Sequence, residues 1–275
     1  MRRHLRGIDH AVILTRDLDR AHAAYARLGF TLTSRGYHSL GSQNHCVVFE
    51  RDYLELMAVP RPHPALQYFV DYLAAGDGLA ALALATGDAG AAHAELAADG
   101  IAADPPLDFS RPVEGLGDAS FRITQLPVAQ TPGCRTFACQ HKTPEVVWRA
   151  EWQSHANSVT GISEIAVVVD DPAVAAAGYA KVFDARPEQS ADGLLVPTGG
   201  APVGIHTREQ LARRLPGVGL PERPPPIIAA VFLRVADRDQ AAEALRAGGV
   251  RPIRVEGGYW AVSAEDACGV ALVFG

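Results

Sequence analysis

One pattern recurs four times along the chain and constrains the fold more than any other feature. A short apolar run ends in Asp and is followed by a stretch rich in Ala and Leu. The runs cover residues 7–17, 78–88, 161–171 and 227–237. Adding 71 to the first maps Asp17 onto Asp88 and Gly29 onto Gly100. Adding 220 maps the same pair onto Asp237 and Gly249, and adding 154 maps Asp17 onto Asp171 and Tyr25 onto Tyr179. Three offsets that each keep both the strand and the Asp indicate internal duplication.

Each copy has a physical reading. The apolar run suits a buried strand. Its Asp can accept the orphan amide protons of a following helix as an N-cap. Ala21, Ala24, Tyr25 and Leu28 recur at helical spacing. Gly29, Gly100 and Gly249 stand where a left-handed residue ends a helix. Three more strands are expected per unit. In unit one they are 31–36, 44–50 and 53–59, with the hairpin at Arg51-Asp52. In unit two the last two are 119–125 and 135–140. Unit three includes 193–196 and 202–207, and unit four has 251–255, 258–263 and 269–274. Helices at 64–75 and 208–214 follow units one and three.

Each unit therefore reads βαβββ, and the fold class is α+β. A lone unit leaves one sheet face in water, so four units predict two pairs, each a bowl-shaped curved mixed sheet. The expected domains are 1–152 (units 7–75 and 78–148) and 153–275 (units 160–214 and 227–275), joined by a polar stretch near 151–160. The Pro-rich segment 215–226 should be a stiff, exposed connection.

Composition agrees and excludes much else. The 275 residues are 48% hydrophobic and 20% charged, enough for a packed core. A net charge of −6 offers no basic surface for nucleic acid. No apolar run approaches a membrane span, and no signal core follows the basic start, so a cytoplasmic protein with no membrane partner is expected. Cys46, Cys134, Cys139 and Cys268 have no framework spacing and read as reduced core thiols. There is no phosphate loop, nucleophile elbow or His-Glu-x-x-His.

The chain resembles the vicinal oxygen chelate superfamily, which includes glyoxalase I, extradiol dioxygenases and fosfomycin-resistance proteins. It looks most like its glyoxalase-like domain proteins. The resemblance is carried by Gly7-Ile-Asp-His-Ala-Val, Asp17-Leu, Leu28-Gly-Phe, Phe49-Glu-Arg-Asp-Tyr-Leu-Glu-Leu and Cys139-Gln-His-Lys-Thr-Pro-Glu-Val-Val-Trp. It is best over residues 7–155 and continues to the C-terminus through the repeat alone. It implies a divalent metal (Mn, Fe, Ni, Co or Zn) held in the bowl, with ligands from the first and last strands of a unit. A substrate with adjacent oxygens then chelates that metal. By this resemblance His10 and Glu55 are metal ligands and catalytic residues of the N-terminal bowl. The matching first-strand positions are Ala81, Glu164 and Ala230, and the last-strand positions fall near Ala138, Gly204 and Ala271. The C-terminal bowl therefore reads as degenerate and structural.

Each candidate has a plainer alternative. His10 in an apolar strand can be a core histidine bonded to Glu55. A carboxylate in such a strand is costly unless paired or metal-bound, which favours a site role for Glu55. His141, ending the last strand of unit two, is the candidate third metal ligand, or else a loop-edge imidazole. For substrate binding the candidates are Arg122, His45 and Trp148. Arg122 alternates with Ser120 and Thr124, a polar stripe that either faces the bowl or faces water. His45 turns on strand register. Trp148 and Trp152 line the mouth or pack the inter-domain joint. Glu145, Glu151 and His155 form a further polar cluster. His4, His22, His38, His63, His93 and His206 have no site-like context.

The leading expectation is a metal-dependent lyase or isomerase acting on a small molecule, the metal serving as Lewis acid. Its rivals are a metal-free sequestration protein and an Fe(II) extradiol dioxygenase. A homodimer is left open by the sequence. The site assignment requires His10 and Glu55 to share one face of the sheet.

Overall fold

A computed structural model describes all 275 residues. Unit one contributes β1 (Ile8–Leu14), α1 (Leu18–Arg27), β2 (Gly36–Tyr37), β3 (Gln43–Val48) and β4 (Tyr53–Ala58), followed by α2 (Gln67–Ala74). Unit two contributes β5 (Gly78–Ala85), α3 (Ala89–Ala98), β6 (Leu107–Val113), β7 (Gly117–Gln125) and β8 (Arg135–His141). Unit three has β9 (Val159–Val168), α4 (Pro172–Phe183), β10 (Glu188–Ser190), β11 (Gly193–Val196) and β12 (Val203–His206), followed by α5 (Arg208–Arg214). Unit four has β13 (Ile227–Val235), α6 (Arg238–Ala247), β14 (Ile253–Arg254), β15 (Trp260–Val262) and β16 (Ala271–Phe274).

The repeated Asp residues cap all four helices. Asp17 accepts from Arg20 N–H, Asp88 from Gly90 and Ala91, Asp171 from Ala173 and Val174, and Asp237 from Asp239 and Gln240. Past three of the helices Gly29, Gly100 and Gly249 take positive φ. The third copy lacks that Gly, and Asp184 takes the left-handed conformation instead.

The units pair as expected. The first sheet runs β2-β3-β4-β1-β5-β8-β7-β6 and the second runs β10-β11-β12-β9-β13-β16-β15-β14. Within a unit the first strand is parallel to the last, and the two first strands of a pair meet antiparallel at the sheet centre. The first sheet curls until its edges approach, where Ser39 N–H donates to Ser110 O at 2.9 Å. One 48-residue core contains the convex faces of both sheets and the helices between them, so the halves share their main core. Smaller cores fill each concave side. No helix is long and apolar enough to cross a membrane.

Three expectations are corrected. The strand expected over 31–36 shrinks to Gly36–Tyr37, because the Thr33 hydroxyl takes the Cys46 N–H that a ladder would use. The Pro-rich connection is not fully exposed, since Leu215 and Val218 insert into the second bowl's core. The polar cluster expected at the joint splits, and of its members only His155 is buried. His155 accepts from Thr31 N–H and bonds Val48 O, while Asn157 donates to Leu28 O. Glu151 pairs with Arg149 on the surface rather than clustering with His155.

Asp52, on the β3–β4 hairpin, accepts Ile162 N–H of the second sheet at 2.9 Å. Burial pushes its carboxyl up to about 7, against the pull of that N–H and of Arg234. Unfolded, it titrates near ~4. The folded chain therefore holds more protons between these values, and this group's contribution to stability falls as pH rises across that window. Asp52→Asn keeps an acceptor and removes the charge. Its melting temperature relative to the wild type should rise by a few degrees between pH 5 and pH 8. Thermal melts at both values test this, and a pH-independent difference would contradict it.

Candidate functional site

A break in β1 builds the site. Opposite β5 the register steps from Ile8↔Leu84 to His10↔Ala83, so two residues of β1 face one of its partner. Such a bulge re-aims side chains that strict alternation would send to opposite faces. Ile8 packs into the inter-sheet core, while His10 lines a cavity inside the first sheet. Asp9 is not turned away. Its Oδ1 lies 2.6 Å from His10 Nδ1 and 3.0 Å from His141 Nε2. Burial raises the Asp9 carboxyl, but the two imidazole hydrogen bonds outweigh it and bring it to about 2. An ionised carboxylate only accepts, so His10 Nδ1 carries the hydrogen and Nε2 is the nitrogen turned towards the cavity.

The cavity holds about 730 Å³ of empty space, its open mouth included. β4 pairs parallel to β1, with Val12 opposite Glu55, and this brings His10 and Glu55 onto the concave face. His10 Nε2 is 3.6 Å from Glu55 Oε2, too long for a hydrogen bond. Asn44 Nδ2 donates to Glu55 Oε1 at 2.6 Å. His38 Nε2 stands 3.8 Å from the same oxygen, and its Nδ1 contacts Ser42 Oγ at 2.8 Å. Burial pushes His38 down to about 4 despite the pull of Glu55, so it is neutral at pH 7. Tyr53 stacks on the His10 ring at 4.3 Å and Phe137 meets it edge-on.

Apolar walls enclose these groups: Leu66, Phe69, Phe109, Phe121, Ile123 and Phe137. Arg111 and Arg135 also line the cavity. The thiols offer no nucleophile. Burial raises Cys46 to about 12 and Cys139 well above its ordinary value. Asp9, His10, Cys139 and His141 present one ligand atom each within 4.8 Å of one another, a set able to hold a metal ion.

Of the other candidates, His141 is brought to His10 through Asp9 but not to Glu55, and the rest join neither. His141 lies on the Asp9 side of His10, packed against Phe121 and Trp148, and is absent from the cavity wall. Arg122 is half-exposed and reaches Asp108, because its neighbours Phe121 and Ile123 take the inward face of β7. His45 bonds Thr33 O and packs on His22, because Asn44 takes the inward face. Trp148 packs behind Tyr53 and His141 rather than on the cavity. Sequence reasoning missed Asp9, since alternation puts it opposite His10. It missed His38, Asn44 and Arg111, which only the curl of the sheet brings near Glu55.

The second bowl answers the same need internally. Glu164 takes both nitrogens of Arg214 at 2.5 and 2.7 Å, with His206 Nε2 at 3.5 Å. The guanidinium lies 4.0 Å above the Phe232 ring.

Comparison with known proteins follows this geometry. A family model described as a glyoxalase-like domain matches residues 8–183. No curated protein matches the sequence. Among solved structures, a hypothetical protein from Staphylococcus aureus is 14% identical with TM-score 0.68, covering 98% of both chains. A Mn(II)-bound glyoxalase from Novosphingobium aromaticivorans is 13% identical with TM-score 0.59, over 98% of this chain and 82% of that one. A variant of homoprotocatechuate 2,3-dioxygenase from B. fuscum is 14% identical with TM-score 0.55, over 98% and 71%. At such identity the likeness shows the fold alone.

Asp9 makes the His10 orientation testable. Its folded carboxyl is depressed, so its contribution to stability is present above pH ~4 and lost as pH falls towards 2. Asp9→Asn should cost roughly 2 kcal/mol at pH 7. It should also weaken the Nδ1–H tautomer of His10 in ¹⁵N spectra. An unchanged tautomer would show that Asp9 does not set the ring.

Proposed function

We propose that this chain, which belongs to the glyoxalase-like domain family, holds a divalent cation on His10 Nε2 and Glu55. On this reading it acts as a lyase or isomerase on a small molecule with adjacent oxygens. The observation that carries the reading is the pair itself. A ring nitrogen oriented by Asp9 and a carboxylate oxygen without a hydrogen bond face each other at 3.6 Å in the cavity. Carboxylate, imidazole and open space in that order are the arrangement of metal-ligating histidines.

The donor set fits such a cation. Both groups are the types that bind Mn, Fe, Ni, Co or Zn, and both are nearly enclosed, at 4% and 7% exposed. The Asp9, Cys139 and His141 set fits less well as a catalytic centre. Asp9 is already taken by hydrogen bonds to His10 and His141, and the thiol stays protonated, although His141 Nδ1 is left without a partner. Bound at His10 and Glu55, a cation would supply Lewis acidity to a substrate oxygen. Asn44 anchors Glu55 Oε1 and so fixes Oε2 towards His10 Nε2, where the cation would sit. Tyr53 and Phe137 hold the His10 ring and keep water from it.

His38 favours a second reading. With His38 beside Glu55, two imidazoles and one carboxylate reach the cavity, the donor types of non-haem Fe(II) oxygenases. Oxygen uptake with a catechol by iron-loaded protein would select that reading.

Protein purified without chelators should contain close to one equivalent of one of these metals. His10→Ala and Glu55→Ala should abolish it. Asp9→Asn, acting through His10, should weaken metal affinity by about 10- to 100-fold. Metal far below one equivalent, with no binding heat when the five metals are added to chelator-treated protein, would reject the cation and leave metal-free binding.

A further inference from the structure

The polar wall of the cavity contains a cation that makes no ion pair within the chain. Arg111, in β6, is 3% exposed, and no carboxylate forms an ion pair with it. A guanidinium stays charged at any working pH. Its one side-chain contact is Nη2 to Cys46 Sγ at 3.9 Å, a neutral and weak acceptor. Its Nε is buried without any hydrogen-bond partner. Leaving a buried charge unpaired is strongly destabilising. The second bowl shows the ordinary solution, with Arg214 matched to Glu164 by two bonds.

The chain is built to accommodate this arginine. Its side chain crosses from β6 to the β2 edge beside Gly36. A Cβ on Gly36 would meet Asn44 Oδ1 first and would then stand 2.9 Å from Arg111 Cδ and 3.1 Å from Nη1. A second guanidinium, Arg135, lines the same cavity where it meets the neighbouring cleft. It bonds only the neutral Gln125, and its Nε is also without a partner. Glu55 is the one carboxylate on the wall, and Asn44 already holds one of its oxygens. The other polar side chains there are neutral or already held, chiefly Asn44, His38 and Gln125, with His10 beside Glu55, and the remaining wall is apolar.

We propose that Arg111 is the anchor for a substrate carboxylate, and that the substrate class is a monocarboxylic acid with an aromatic or branched apolar body. A planar carboxylate fits a guanidinium edge with two parallel hydrogen bonds. The phenylalanine-rich wall takes the rest of the molecule, and Arg135 at the mouth draws the anion in. The inference rests on the reading of this cavity as the substrate site, though not on the cation. Arg111 is the residue to which the role expected of Arg122 belongs.

The test compares matched probes on the full chain by calorimetry, as purified and after chelation. The pairs are phenylacetate with phenylacetamide and 3-phenylpropanoate with 3-phenylpropanamide. The carboxylate of at least one pair should bind about tenfold or more tightly than its amide, in both preparations. Arg111→Met should erase the preference, and Arg111→Lys should keep part of it. Arg111→Met should also melt no lower than the wild type, whereas removing a purely structural arginine would lower it. Equal binding of acid and amide in every pair would overturn the proposal. So would a preference that survives in Arg111→Met, or one that vanishes on chelation. Should Arg111→Met not fold, the wild-type pairs and Arg111→Lys decide. A carboxylate preference in protein that binds no metal would sustain Arg111 while rejecting the cation.

Discussion

The central strand pairing of the first sheet carries everything at its cavity. β1 lies parallel to β4 and antiparallel to β5, and the bulge at Asp9–His10 interrupts the second pairing. The parallel side delivers Glu55 to His10. The interrupted side lets the preceding carboxylate turn back under the ring. A regular strand would give an imidazole on the cavity wall with no partner for its Nδ1, free to adopt either tautomer. One irregular step converts an apolar strand with a histidine into an oriented donor.

The two bowls show how one architecture handles a buried carboxylate in different ways. A buried carboxylate must be paired, hydrogen-bonded or metal-bound, because isolated charge is too costly inside a protein. In the second bowl Arg214 of α5 meets Glu164 and closes the question, and Leu211, Leu215 and Val218 fill the space around it. In the first bowl Glu55 receives one amide and two imidazoles at longer range, and the space stays open. The first bowl also keeps a guanidinium that the second would have matched internally. Charges left incomplete beside an open apolar volume are what a ligand site requires, and the closed pair is what a structural core requires.

Much of the fold was legible because repeats and periodicity are local signals. Asp17, Asp88, Asp171 and Asp237 mark helix starts through a hydrogen bond that spans two or three residues, and three of the four helices end at the expected Gly. The site was legible only in part. His10 and Glu55 sit at strand positions that the repeat aligns. Arg122 and His45 illustrate the opposite case. Each lies one residue from an inward-facing neighbour, and period-two geometry makes that single step a change of face. His38 and Arg111 lie on opposite edges of the sheet, and no sequence pattern reports that these edges meet.

The sequence by itself determined the α+β class, the four units and their pairing, which follow from short-range capping, alternation and the need of each unit to bury one sheet face. The family resemblance, not the pattern, pointed to His10 and Glu55, which line the cavity. Tertiary structure alone decided which charges face the cavity, which are neutralised within the chain and which bowl stays open. Those outcomes depend on the bulge in β1, the curl that brings β2 to β6, and the reach of Arg214 across the second bowl. Each is a contact between residues distant in sequence, whose energy exists only once the sheet has closed.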